Sequence, residues 1–145
     1  MKKQLLFCAF VGMMTACQHE TDIQPTLPTL AGEVAGTYRT NVYLDPSRVA
    51  IPAAQMPYTE LKAESDSSVT LVYNTQYLTK TSQSIQHIQL SRQADLIQLR
   101  VADSSIGTLQ TDRIFTDSGM EKQGKLLRVN IQTDSKTQQS FAGVK

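Results

Sequence analysis

The 145-residue chain has no tryptophan, only two cysteines and two histidines, and no excess of charge, its 14 basic residues being set against 13 acidic ones. Each shortage removes a class of function. A near-neutral chain lacks the basic surface that displaces counterions from phosphates, so no nucleic-acid partner is expected. Without tryptophan, and with five tyrosines and four phenylalanines, the stacking platforms on which sugars are usually recognised are scarce. Zinc needs three or four nitrogen or sulfur ligands. Both cysteines and His19 lie in the first nineteen residues, which leaves His87 alone in the rest of the chain. Asp66, Asp103, Asp112 and Asp117 are scattered among turn-forming stretches and lack the fixed spacing of a calcium loop. No metal and no cofactor are expected. There is no Gly-x-Ser-x-Gly nucleophile motif. Gly119 and Gly124 bracket a stretch without the Lys-Ser/Thr ending of a phosphate loop, and no carboxylate pair can be placed in a cleft. A non-enzymatic protein of one domain is the expectation.

Long apolar runs are also missing. The longest, Leu5 to Met14, follows Lys2 and Lys3 and precedes Thr15-Ala16-Cys17. It is too short to cross a bilayer as a helix, and its layout of positive start, apolar middle and small residues is that of a secretory signal peptide. Met14-Thr15-Ala16-Cys17 resembles the lipobox of bacterial lipoproteins, departing from it at Met14, where leucine is commoner. The resemblance implies cleavage before Cys17 and lipidation of that cysteine. An ordinary signal peptide cut at Ala16 would instead leave Cys17 as a free thiol, a liability in an exported chain. Cys8 leaves with the signal segment in either case, so no internal disulfide can form. Loss of Lys2 and Lys3 leaves 12 basic against 13 acidic residues, a net charge of −1. Gln18, where an aspartate would imply retention in the inner membrane, favours the outer membrane, with the protein facing periplasm or cell surface. The expected organisation is residues 1–16 as signal peptide, 17–33 as lipidated cysteine and tether, and 34–145 as the folded domain. Pro25 and Pro28 argue against regular structure in the tether.

From Val34 onward the apolar residues recur every second position. The alternation runs through Val34, Gly36, Tyr38, Thr40, Val42 and Leu44, then returns at Val69, Leu71 and Tyr73, at Ile88 and Leu90, at Ile97, Leu99 and Val101, and at Leu127, Val129 and Ile131. Such a period buries one face of an antiparallel strand and wets the other. A weaker strand covers Tyr58 to Glu64. Turn-formers fall at Asp66-Ser67-Ser68, Ala94-Asp95, Asp103-Ser104-Ser105, Asp117-Ser118-Gly119 and Asp134-Ser135-Lys136. The segment from Asp45 to Pro57 holds three prolines and reads as a loop, with at most a helical turn at Ala53-Ala54-Gln55. Parity breaks between Ile85 and Ile88, the mark of a bulge. These signals predict an all-β fold, an antiparallel meander of about eight strands that closes as a barrel or folds as a barrel-like sandwich.

Gly36-Thr37-Tyr38 resembles the Gly-x-Trp element that opens the lipocalins and their calycin relatives, with tyrosine in place of tryptophan. That resemblance implies that Gly36 and Tyr38 point into the base of a small barrel. The arginine that packs over the aromatic in that family has Arg128 as its one counterpart by position, and Arg128 has the opposite parity to Leu127 and Val129.

Two roles follow for such a domain. It binds a small apolar ligand in the barrel, with Tyr38, Val42, Leu71, Tyr73, Leu99 and Val129 as the candidate lining residues, or it is a scaffolding component that meets another envelope protein through its polar face or an open edge strand. Each of the six lining candidates reads first as plain core. Arg39, Arg100 and Arg128 occupy wet positions on three different strands and would form a basic patch if those strands were neighbours. His87 falls on a wet face, where it has no catalytic company.

Overall fold

The computed structural model describes residues 28–134 and 137–145. Its eight strands are β1 (Gly36–Arg39), β2 (Tyr58–Ala63), β3 (Ser68–Thr75), β4 (Thr81–Gln93), β5 (Leu96–Val101), β6 (Ser104–Phe115), β7 (Glu121–Asp134) and β8 (Thr137–Val144). They form a closed antiparallel barrel in chain order, with β1 returning to β8. Closure resolves the choice between barrel and sandwich and gives every strand two neighbours, although Thr81 to Ile88 of β4 run past β5 and stay unpaired on that side.

The inward series is the one read from alternation. Leu71 and Tyr73, Leu99, Leu127, Val129 and Ile131 are all buried in one cluster with Tyr38 and Ile88, and Leu109 and Phe141, which lie outside that series, join them. Turns fall where short polar stretches permit them. Gln93 pairs with Leu96 and Val101 with Ser104, so two-residue loops join β4 to β5 and β5 to β6. Ala94 and Ala102 take positive φ in these loops, as the twist of a tight hairpin demands. The expected bulge is present in β4. Val69 pairs with Ile88 and Leu71 with Ile85, and His87 sits in the extra length at φ 58°. The turn at Asp134-Ser135-Lys136 falls largely outside the described residues.

Two expectations are corrected. The first strand does not run from Val34 to Leu44 but is confined to Gly36–Arg39. Asn41 ends it, because its Oδ1 accepts hydrogen bonds from the backbone amides of Tyr43 and Leu44, both at 3.1 Å. Those amides are thereby taken from any strand ladder. The segment then makes two short 3₁₀ turns, Pro46–Arg48 and Ala53–Gln55. Second, a short helix, α1 (Leu30–Val34), occupies the end of the stretch expected to be an irregular tether. Thr29 caps it by accepting from the Gly32 amide.

Helix α1 sits at the end of the barrel where β1 begins. Ala31 and Val34 are fully buried in the core cluster, and the Ala31 amide donates to the Asp66 carbonyl of the β2–β3 turn. Five residues cannot hold a helix alone. Burying Val34 contributes about 1.5–3 kcal/mol, more than the roughly 0–1 kcal/mol of a partly exposed ion pair, so the helix stays by its apolar side. The ion pairs of Glu33 with Arg92 of β4 and Lys125 of β7 fix its orientation.

Gly36 opens β1 at φ 141°, and a side chain there would collide with Lys145, whose Nζ donates to the Ala35 carbonyl. Glycine at this position is required by the backbone, since the Lys145 side chain could move aside but the positive φ would remain.

Candidate functional site

The side chains proposed as a ligand lining separate into two groups. Tyr38, Leu71, Tyr73, Leu99 and Val129 lie in the packed interior. Val42 does not join them, because it lies in the turn after β1 and borders a surface groove.

The interior is filled by contacts that cross the barrel. Tyr73 of β3 meets Phe141 of β8 edge-on, ring centres 5.7 Å apart. The Gln139 amide of β8 donates to the Tyr73 hydroxyl at 2.9 Å. At the surface, Gln83 of β4 also reaches across, donating to the Gln132 carbonyl of β7 at 2.8 Å. None of these strand pairs is adjacent in the sheet, so opposite walls touch. Burial raises the Tyr73 hydroxyl above the usual tyrosine range, with nearby Arg48 acting against that rise. Arg48 is itself paired with Asp45 at 2.6 Å, which brings the first 3₁₀ turn over this end of the barrel.

At the base, the Tyr38 hydroxyl donates to the Val34 carbonyl at 2.6 Å, both residues fully buried. Burial, with the Glu33 carboxylate nearby, pushes the Tyr38 hydroxyl well above its usual value of 10. The pair locks α1 to β1, and it gives the Gly-x-Tyr element a concrete task. Burial disfavours ionisation of Glu33, but Lys125 and Arg92 outweigh it and hold the carboxyl below its usual value.

A cavity lies outside the barrel core. It is a half-open groove of about 400 Å³ beside the end of β1. One wall is apolar, from Val42, Ile51, Ala53, Ala54 and Met56, and Arg39 and Asp117 supply opposite charges. Thr40 also lines it, buried, with a hydroxyl that has no hydrogen-bond partner. The shape of the groove comes from Asn41, whose Nδ2 donates to the Phe115 carbonyl at 2.9 Å. Tyr43 stacks on Phe115 at 5.8 Å between centres, and Gly119 leaves room for the tyrosine. Arg39 extends over the Tyr58 ring, 5.6 Å from its centre. Smaller cavities lie beside α1, between Glu33, Arg92 and Lys125, and near the β3–β4 loop.

Compared with protein-family models, curated proteins and solved structures, the chain matches none. The site has to be read from its own chemistry.

The three arginines do not gather into a patch. Their strands, β1, β5 and β7, are not neighbours in the barrel. Arg39 lies over Tyr58, Arg100 donates to the Asp103 carbonyl at 3.0 Å and Arg128 is 3.7 Å from Asp112. Arg128 is exposed, as its parity required. His87 pairs at the surface with Glu64, whose carboxyl is held below its usual value chiefly by the Thr70 hydroxyl. Among the described residues, no three His, Cys, Asp or Glu side chains are grouped to hold a metal ion, and no helix is long and apolar enough to cross a membrane. Cys17 lies outside the described residues.

Sequence reasoning missed the groove because it follows no period. Its residues come from a proline-containing segment and a distant turn. The one usable signal was Asn41, a strand-breaking side chain in the middle of an alternating run.

Proposed function

We propose that the chain is an exported, lipid-anchored, non-enzymatic binding module, held to the bacterial outer membrane through Cys17, that takes a small apolar ligand in the groove beside β1. One observation carries the binding half of this reading: a groove of about 400 Å³ with five apolar side chains lies outside a barrel whose own interior is filled. That volume falls in the range of small-molecule sites, roughly 300–1,000 Å³. The closed eight-stranded ring and the glycine and tyrosine at its base support a lipocalin-like reading of the fold. Recognition differs from that family's pattern in being displaced from the barrel interior to its flank. Anchoring rests on the sequence of the first 17 residues. Each acyl methylene buried in a bilayer contributes about 0.8 kcal/mol, so two or three chains make attachment durable.

The test is to fill the groove. Ala54 is exposed on its wall, so Ala54→Trp obstructs the site without disturbing the core. Wild-type protein extracted from membranes should carry a small apolar molecule detectable by mass spectrometry, or take up the fluorescent probe 1-N-phenylnaphthylamine. The variant should lose either property while keeping its Tm. Equal uptake by both proteins, or none by the wild type, refutes the groove. Anchoring is tested separately, since Cys17→Ser should abolish palmitate labelling.

The filled interior also favours a second reading, a scaffolding module whose partner is another envelope protein. Tyr43 and Met120, both exposed, would contact that partner beside the groove. Cross-linking from Met120 to a protein, with no small molecule bound, would select it.

A further inference from the structure

Three of the five large apolar side chains that the described surface exposes belong to one end of the barrel. Leu78 is 90% exposed and Tyr77 40%, both in the loop joining β3 to β4, and Val49 is 74% exposed. Val49 directly follows Arg48, which acts on Tyr73 near the end of β3 and so brings this segment to the same end. Scattered single exposures need no explanation, but a clustered set does.

Leu78 is also held in an unfavourable backbone conformation. Its φ is 62°, and the Thr79 amide donates across it to the Tyr77 carbonyl at 2.7 Å. This three-residue turn with positive φ at its centre is the rare, strained kind of γ-turn, and glycine or asparagine would take it at lower cost. A leucine in that position buries nothing, so it does not serve the fold.

Charge completes the pattern. Between Asp66 and Asp95 there is no acidic residue, while Lys80 sits two positions from Leu78. The tip projects as well. β4 pairs with β5 only from Gln89 onward, so Thr81 to Ile88 and the loop before them extend past that neighbour.

We propose that this tip, Tyr77-Leu78 with Lys80, seats on a lipid bilayer bearing anionic headgroups. An aromatic at the interface, an aliphatic side chain below it and a cation at the headgroups is the chemistry of membrane contact. Alone it would be weak. Stable membrane binding takes two signals, and here the lipidated Cys17 of the proposed function is the first. Helix α1, from which the chain leads back to Cys17, lies at the opposite end of the barrel. Twelve peptide steps separate Cys17 from Thr29, a contour of about 40 Å, against about 26 Å for the rise of the eight-residue β3. Anchor and tip can reach one leaflet, with the barrel base turned away from it.

The test uses the full-length, processed protein reconstituted in vesicles. A fluorophore is attached through L78C or, at the far end where α1 docks on the β2–β3 turn, through S67C, which is exposed, and quenched by nitroxide-bearing lipids. In phosphatidylethanolamine–phosphatidylglycerol vesicles, the label at 78 should be quenched severalfold more than the label at 67. The difference should shrink in phosphatidylcholine and on adding Tyr77→Ser. Equal quenching at both sites, or preference for 67, overturns the proposal. So does shielding of position 78 in detergent without vesicles, which would assign the tip to a protein partner. The anchor is read independently: a protein that takes up no palmitate but still seats through position 78 loses the anchor and keeps the surface.

Discussion

Replacing Tyr38 with phenylalanine isolates a single hydroxyl at the junction of helix and barrel. The ring remains to fill the core, so no cavity opens. What is lost is the 2.6 Å hydrogen bond to the Val34 carbonyl. That carbonyl belongs to a fully buried residue and is left unpartnered, which costs about 1–3 kcal/mol. Taking about 2 kcal/mol, at some 4 °C per kcal/mol for a domain of this size, Tm should fall by roughly 8 °C. Amide exchange should locate the damage, faster in Leu30–Val34 than in β3 or β7. Alkali supplies a second signature. The folded hydroxyl ionises well above its usual value of 10, so between the two values the native state holds a proton that the unfolded chain has released. Its contribution is complete below pH 10 and declines as pH rises above it. Tyr38→Phe should lose that part of the alkaline decline, while Tyr73, also raised by burial, retains its own. An unchanged Tm, or faster exchange spread evenly around the barrel, would refute the view that this bond ties α1 to the rest.

Acid should act on the same helix through Glu33. Its carboxyl is held below its usual 4.5, so its stabilisation is present above that value and is lost as pH falls through the depressed one. Exchange in α1 should accelerate in that window in the wild type but not in Glu33→Gln. Gly107 faces Val129 across β6 and β7, and a methyl group there would overlap the Arg128 carbonyl and the Val129 side chain and come within 3.0 Å of its Cα. Gly107→Ala should therefore cost about 1–3 kcal/mol in urea unfolding, although alanine is ordinarily the better residue in a strand.

The barrel was legible in the sequence because its inward face repeats without interruption. Val69, Leu71 and Tyr73, then Leu127, Val129 and Ile131, show the period of two wherever a strand has one dry side, and the parity slip between Ile85 and Ile88 marked the bulge. Legibility failed where one side chain overrides a pattern. Val42 and Leu44 continue the alternation of β1, yet Asn41 takes up the amides that would extend it. Helix α1 is too short for any period to appear, leaving Thr29 and Glu33 as its only local marks. Of the six lining candidates, five were identified correctly as inward-facing, but parity reports only the direction of a side chain. It cannot distinguish a wall that faces space from one that meets the opposite wall, as Tyr73 meets Phe141. The groove needs Asp117 and Ala54 to meet across more than sixty residues, a proximity that only the folded chain creates.

The ring closes through very little. Strands β1 and β8 share a single paired position, Arg39 with Val144. With the anchor proposed at Cys17, a pull from the membrane would enter next to this seam and peel β1 away one bond at a time. Helix α1 stands in the path of that pull. Its contacts reach the β2–β3 turn, β4 and β7 at once, while Lys145 clasps Ala35 beside it. Tension is thereby spread over half the circumference before it reaches the weakest joint, much as a strain-relief collar protects a cable at its plug.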